Sequence, residues 1–185
     1  ISAALSTLKA KPSLMTQDAF YPVLIKNPKN ALSKIEELLI CFRCFKECRN
    51  NLIHEGGIAS EKVFDAYAAY STLTTHSLGV KEIPMCLPVV TGQPISLSLR
   101  GVVGFSDIIL RLLITLDAEF SCNIGAEAEF VSQWKQRFQT YKPGVKMNPA
   151  ARIKHLRRLA GSIGMPKPAA TAKLDSFLKK ELLIV

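Results

Sequence analysis

Apolar residues recur at helical spacing through most of this chain. The pattern is clearest from Ala31 to His54, where apolar side chains return every three or four residues until Gly56-Gly57 ends the run. Ser60, Ser106 and the pair Asn148-Pro149 are typical helix starts. Further helices are predicted over residues 61–73, 107–120, 126–141, 150–164 and 171–185. The pattern therefore predicts a mainly α protein, with a bundle of helices around one core.

Residues 93–105 (QPISLSLRGVVGF) interrupt the helical pattern. Apolar and polar residues alternate at Ile95, Leu97 and Leu99, which is the two-residue period of a strand. Gly101 follows Arg100 where a hairpin would turn. This stretch therefore predicts a small β-hairpin insertion in the helical bundle.

Charge divides the chain into two parts. Residues 1–130 carry 12 Lys+Arg and 13 Asp+Glu, whereas residues 131–185 carry 12 Lys+Arg and only two acids. The stretch from Tyr141 to Asn148, which contains Pro and Gly, is the best candidate for a linker. We therefore predict a helical domain over residues 1–140 and a basic helical C-terminal extension over residues 148–185. The excess positive charge favours a polyanion as partner.

The composition is that of a folded protein in a reducing compartment. Hydrophobic residues make up 48% and charged residues 21%. No apolar run reaches the roughly 18 residues that span a bilayer, and the first residues do not resemble a secretory signal. Five cysteines, an odd number, do not suggest a disulfide framework. We therefore expect a cytoplasmic protein without a membrane partner.

Three of the cysteines lie in the first helix as C-x2-C-x3-C, at Cys41, Cys44 and Cys48. A zinc site needs ligands that converge on the ion, and one straight helix cannot surround a tetrahedral metal. Small core residues are therefore the favoured interpretation, with a zinc site as the alternative. We expect no metal and no other cofactor.

The first helix ends in a polar segment, ECRNNLIHEGG, from Glu47 to Gly57. At about 100° per residue, Arg49 falls on the apolar stripe of Phe42 and Phe45, where a guanidinium must pair with an anion or reach solvent. His54 lies about 140° away on an ideal helix. Arg49 and His54 therefore converge only if the last turn loosens or if a second copy contributes its own pair.

These residue types are suited to the cleavage of a phosphodiester. Histidine exchanges a proton near neutral pH, and arginine binds phosphate oxygens through two parallel hydrogen bonds. Asn50 or Asn51 can orient the imidazole or bond a ribose or phosphate oxygen. RNA supplies its own nucleophile, the 2′-hydroxyl. The simpler alternative is an ion pair of Arg49 with an acid such as Glu36 or Glu47, together with ordinary helix-stop roles for His54 and the asparagines.

The segment FRCFKECRNNLIHEGG resembles the R-x4-6-H signature of the HEPN superfamily, including the polar residue after the arginine. The glycines after the histidine, the hairpin-like stretch and the next core helix are most similar to the RiboL-PSP-HEPN branch. The resemblance covers roughly residues 30–125. It implies a helical bundle that forms a homodimer, with a composite, metal-independent endoribonuclease site at the interface. It also implies a role in toxin–antitoxin or antiphage defence.

The resemblance assigns roles to particular residues. Arg49 would bind phosphate, Asn50 would assist, and His54 would transfer the proton, with Glu47 and Asn51 in support. Gly56 stands where some HEPN toxins carry a tyrosine that a partner enzyme modifies, so that form of silencing is not expected. The alternative is a non-catalytic HEPN module that binds nucleic acid or a protein partner such as an antitoxin.

The basic C-terminal region predicts a surface that contacts RNA phosphates. Its cations are in excess of what solubility requires, and no zinc-finger or RNP signature supports base-specific recognition. Such binding weakens steeply as salt rises. The apolar segments of this region could instead dock an acidic antitoxin. The candidate RNA-binding residues are Lys135, Arg137, Lys154, Arg157 and Arg158, and the neighbouring His155 is assigned to the same solvated face.

Overall fold

The protein is mainly α-helical, as the hydrophobic pattern predicts. A computed structural model describes residues 18–138 and 148–184. No helix in these ranges is both long enough and apolar enough to cross a membrane. The helices are α1 (Tyr21–Leu24), α2 (Ile35–His54), α3 (Glu61–Ser71), α4 (Thr75–Leu78), α5 (Leu99–Ser121), α6 (Ile124–Phe138), α7 (Pro149–Ser162) and α8 (Thr171–Lys180).

The chain forms two compact units. Ala31–Thr115 make up the central unit, and the described residues of 1–30 and 116–185 make up the terminal unit. The central unit contains α2, α3, α4 and the first part of α5. The terminal unit contains α1, the last part of α5, and α6 to α8.

Helix α2 provides the main buried face of the central unit. Its first turn carries Glu36 and Glu37, which the positive end of the helix dipole favours. The chain leaves the helix through Gly56 and Gly57, whose φ angles are +75° and +76°. A left-handed backbone of this kind suits glycine, so the predicted stop after His54 is confirmed.

Aromatic side chains fill the core between α2, α3 and α5. Phe45 of α2 stacks on Phe105 with ring centroids 4.7 Å apart, and it meets Tyr70 of α3 edge-on at 6.0 Å. Such ring pairs add to the hydrophobic gain from burial. Packing against α3 and α5 therefore fixes the position of α2, and with it the segment after Glu47.

The predicted hairpin over residues 93–105 is not present in the structure. The described residues contain no strand, and their isolated β-bridge joins Ile58 to Pro94. Helix α5 begins at Leu99 instead. Gly101, which suggested a turn, and Gly104 allow close packing against this helix. A Cβ at Gly101 would lie 1.9 Å from the carbonyl oxygen of Met85, so only glycine fits there.

The terminal unit has its own core. Phe130 and Trp134 of α6 are buried together with Leu156 of α7 and Leu174 of α8. The structure thus groups α6 with the C-terminal helices, whereas the charge pattern placed a boundary between residues 140 and 148. Apolar contacts, and not charge, decide this grouping. Of the predicted linker, residues 141–147 lie outside the described residues.

Helix α7 begins as its sequence predicts. The side chain of Asn148 accepts a hydrogen bond from the backbone N–H of Ala151 at 2.8 Å, and Pro149 follows in the first turn. This cap satisfies one of the donors that a helix N-terminus leaves unpaired, and proline needs no partner there.

Candidate functional site

Arg49, Asn50 and His54 lie in the last two turns of α2. Arg49 is exposed, and its Nη1 donates to Oδ1 of Asn50 at 3.0 Å. His54 is exposed and is the last residue of the helix. It stands four residues after Asn50, a spacing that makes two side chains neighbours on a helix surface. The structure therefore presents Arg49 and His54 to solvent, whereas Asn50 is half-buried.

The helix stays regular up to His54, so the last turn does not loosen. Arg49 and His54 of one chain consequently remain about 140° apart around the helix axis. Arg49 reaches solvent at the edge of the apolar face and therefore avoids the cost of a buried guanidinium. No carboxylate among the described residues lies within ion-pair distance of Arg49. Within one chain, the two side chains therefore do not converge at the end of this regular helix.

Glu47 lies on the buried face of α2, where it ties α2 to α3. Its side chain is 5% exposed, and its carboxylate oxygens lie 3.1 Å from Nζ of Lys46 and 3.0 Å from Nζ of Lys62. Burial raises the pKa of Glu47, but the hydrogen bonds and charges of Lys62 and Lys46 outweigh burial, so the pKa is lowered. Glu47 is therefore an ionised structural group.

Asn51 closes the end of α2. It is buried, its Nδ2 donates to Glu55 Oε2 at 2.8 Å, and its backbone carbonyl accepts from the N–H groups of Glu55 and Gly57. Its Oδ1 has no hydrogen-bond partner among the described residues. These contacts position the helix end that carries His54, which is a supporting role.

Three of the predicted RNA-binding residues line one groove in the terminal unit. Lys154, Arg157 and Arg158 of α7 share this groove of about 1000 Å³ with Lys167, and none of its lining residues is acidic. We call it the basic groove. Lys135 and Arg137, in the last turn of α6, are exposed and do not line it. The groove offers four cations to an anionic ligand.

His155 is buried, contrary to the sequence-based expectation of a solvated face. Its neighbour Leu156 is part of the core, so this side of α7 turns inward. Nδ1 of His155 lies 3.1 Å from Nη2 of Arg158. Burial and, to a lesser degree, the charge of Arg158 lower the pKa of His155. The neutral imidazole can therefore accept a hydrogen bond from Arg158 and hold that guanidinium at the groove.

Three thiols converge at a second candidate site, which the sequence pattern did not reveal. Cys86, from the segment between α4 and α5, meets Cys44 and Cys48 of α2, and all three Sγ atoms lie within 4.8 Å of one another. None of the five cysteines, all of which lie among the described residues, forms a disulfide. A single helix cannot surround a metal ion, but here the third sulfur comes from a separate segment. The only hint in the sequence was a further cysteine outside that helix.

Hydrogen bonds within this group shift the pKa values of Cys44 and Cys48 in opposite directions. The pKa of Cys48 is lowered to about 4 because its sulfur accepts hydrogen bonds from Cys44 and Cys86, although burial acts in the opposite direction. The pKa of Cys44 is raised because its thiol takes part in hydrogen bonds with Cys48 and Cys86 and is buried. A group of this composition can hold a soft metal ion.

Comparison of the chain with protein-family models, with curated protein sequences and with solved structures gives no match. The resemblance to the HEPN superfamily therefore rests on the residues of the motif alone. The exposed end of α2 and the basic groove are the features of the described residues that suggest a function.

Proposed function

We propose that the protein is a HEPN-type endoribonuclease that acts as a homodimer and cleaves RNA without a metal ion. One observation carries the proposal. Arg49, Asn50 and His54 are all accessible at the end of α2, and Arg49 is hydrogen-bonded to Asn50 while its charge is not neutralised by a carboxylate among the described residues. A guanidinium in this state is available for phosphate.

Exposed apolar side chains around the motif support the homodimer. Ile53, next to His54, is 57% exposed, and Ile58 just after the helix is 47% exposed. Leu52 is also exposed. Burying these side chains against a second copy would remove apolar surface from water and would bring two motifs together. His54 of each copy could then meet Arg49 of the other.

The chemistry follows from the groups present. His54 takes the proton of the 2′-hydroxyl, whose oxygen attacks the adjacent phosphorus. The bond from phosphorus to the 5′-oxygen breaks, and the departing 5′-oxygen takes a proton from water. The hydroxide left behind takes the proton that His54 gained, which restores the neutral imidazole. The products are a 2′,3′-cyclic phosphate and a 5′-hydroxyl. Arg49 neutralises the charge that develops on the phosphate oxygens, and Asn50 holds Arg49 in place.

Cleavage of a labelled single-stranded RNA pool in EDTA tests the proposal. Wild type should cut, and His54→Ala should lose about 100-fold or more of the rate, as expected for loss of an acid–base group. Arg49→Ala should lose a similar factor. His76→Ala removes another exposed histidine of the central unit and should keep wild-type activity.

Mixing the two inactive variants tests the composite site. If one site uses Arg49 of one copy and His54 of the other, re-equilibrated mixtures should recover about a quarter of wild-type activity, because half of the dimers are mixed and each has one intact site. Wild-type activity in both single variants would refute catalysis by this motif. Two inactive variants that do not complement each other would refute the composite arrangement.

The basic groove favours a second candidate, a non-catalytic module that binds RNA. Four cations and no acid line the groove. If wild type, His54→Ala and Arg49→Ala are equally inert but bind RNA in a salt-sensitive way, this second function replaces the first. Binding of an acidic protein such as an antitoxin would instead lose little affinity between low and high salt. The defence role and the cytoplasmic location remain part of the proposal.

A further inference from the structure

Three thiols from two separate parts of the chain meet inside the central unit. Cys44 and Cys48 lie four residues apart, so both project from the same face of α2. Cys86 follows some forty residues later and brings a third sulfur, with all three Sγ atoms within 4.8 Å of one another. We propose that Cys44, Cys48 and Cys86 bind a soft, closed-shell metal ion, Zn²⁺ or Cu(I), independently of the proposed ribonuclease site.

The distances require little rearrangement. Zinc–sulfur bonds of about 2.3 Å place the sulfurs of a tetrahedral site about 3.8 Å apart. The three sulfurs, within 4.8 Å of one another, therefore need to approach by at most about 1 Å. Rotation of the side chains can supply such a shift. Cys44 and Cys48 are fully buried, while Cys86 is only partly buried and gives an ion a route of entry.

The donor atoms select the class of ion. Within the described residues, no histidine, aspartate or glutamate joins this group, so every donor is sulfur. Thiolates favour Cu(I) and Zn²⁺ over oxygen-loving ions such as Mg²⁺ or Ca²⁺. Three thiolates satisfy Cu(I), whereas Zn²⁺ takes a fourth ligand, which water can provide on the side of Cys86. Both ions bind thiolate sulfur, and their measured affinities distinguish them.

A metal here would fasten an irregular segment to the helices. Residues 79–98, which contain Cys86, form no helix and no strand. The segment is held by the Tyr70 hydroxyl, which donates to the carbonyl of Pro84, and by close contact with Gly101 and Gly104 of α5. A metal–sulfur bond to Cys86 would join the segment to α2 directly. We therefore expect the ion to stabilise the fold of the central unit.

Anaerobic titration of the full chain tests the site. Zn²⁺ and Cu(I) are added separately, each in competition with a chromophoric chelator of known affinity. Wild type should bind one equivalent of at least one ion, and the tighter of the two identifies the metal. Cys86→Ala should weaken binding by about 100-fold or more, since loss of an outer-sphere partner alone typically costs 10–100-fold. Cys122→Ala, which removes a cysteine outside the group, should bind like wild type.

A measurement on wild type alone covers the case in which Cys86→Ala does not fold. Alkylation mapped by mass spectrometry should show that the ion protects Cys86, the partly buried member of the group, while Cys122, which is also partly buried, still reacts. The melting temperature should rise when the ion is added. Absence of stoichiometric binding, unchanged binding in folded Cys86→Ala, or a Cys48–Cys86 disulfide that forms in air while neither ion binds would each overturn the proposal.

Discussion

Removal of two cations from the basic groove should change how RNA binding depends on salt. Lys154, Arg157, Arg158 and Lys167 line the groove. Each phosphate neutralised on a single strand contributes about −0.7 to the slope of log K against log salt, so four contacts give about −2.8. Binding should then weaken about 50-fold between about 50 and 200 mM salt. The double variant Lys154→Ala/Arg158→Ala should halve the slope to about −1.4 and reduce this loss to about sevenfold.

Fluorescence anisotropy with a 2′-O-methyl RNA measures the slope, since this RNA has no free 2′-hydroxyl and cannot be cleaved by the proposed route. The matched control is Lys173→Ala/Lys180→Ala, which removes the same charge from the same unit. Both control lysines lie outside the groove, Lys173 at 3.3 Å from Asp18 and Lys180 at 4.0 Å from Glu181. The control should therefore keep a slope close to that of wild type.

The comparison of the two double variants can refute the reasoning in either direction. Equal losses of slope would mean that net charge, and not the groove, attracts RNA. A wild-type slope near zero would mean that the ligand of this surface is not a polyanion, and a docked protein partner would then account for the surface better.

Substitutions of Gly101 and Glu47 test two contacts in the central unit, and a substitution of Gly161 in the terminal unit is the control for Gly101. Gly101→Ala should lower the free energy of unfolding by about 1–3 kcal/mol, because its Cβ would meet the Met85 carbonyl, whereas Gly161→Ala, with nothing near its Cβ, should gain about 0.5–1 kcal/mol. Denaturant melts of both variants measure the free energy of unfolding. Equal changes in the two variants would contradict the close contact at Gly101. The pKa of Glu47 is lowered in the fold, so the unfolded chain binds more protons and stability should fall as pH drops below the ordinary value of 4.5. Melting temperatures should decline less steeply with acid in Glu47→Gln than in wild type, and identical acid profiles would show that Glu47 is not responsible.

The end of α2 and the start of α7 were predictable because short stretches of sequence encode them, whereas Ser106, another predicted helix start, lies inside α5. Gly56-Gly57 supplies the left-handed backbone that ends α2, and Asn148-Pro149 supplies the cap and first turn of α7. The periodicity of apolar residues likewise located α2, α3 and α7 to within about four residues, and it placed the start of α8 at Thr171. The polar triad of Arg49, Asn50 and His54 was also visible, since its members lie within six positions of one another.

What depends on distant contacts was not predictable in this way. Gly101 resembles a hairpin turn until the carbonyl of Met85 is known to lie against it. Glu47 resembles an active-site acid until Lys62 of α3 is found beside it.

The meeting of Cys86 with Cys44 and Cys48 likewise depends on distant parts of the chain, and so does the core shared by α6 and α7. The sequence by itself determined most of the helices, the charge asymmetry and the motif, because each depends on neighbouring residues or on composition and not on how the chain packs. Only the tertiary structure decided which side chains meet across those turns, because such contacts depend on how whole helices pack.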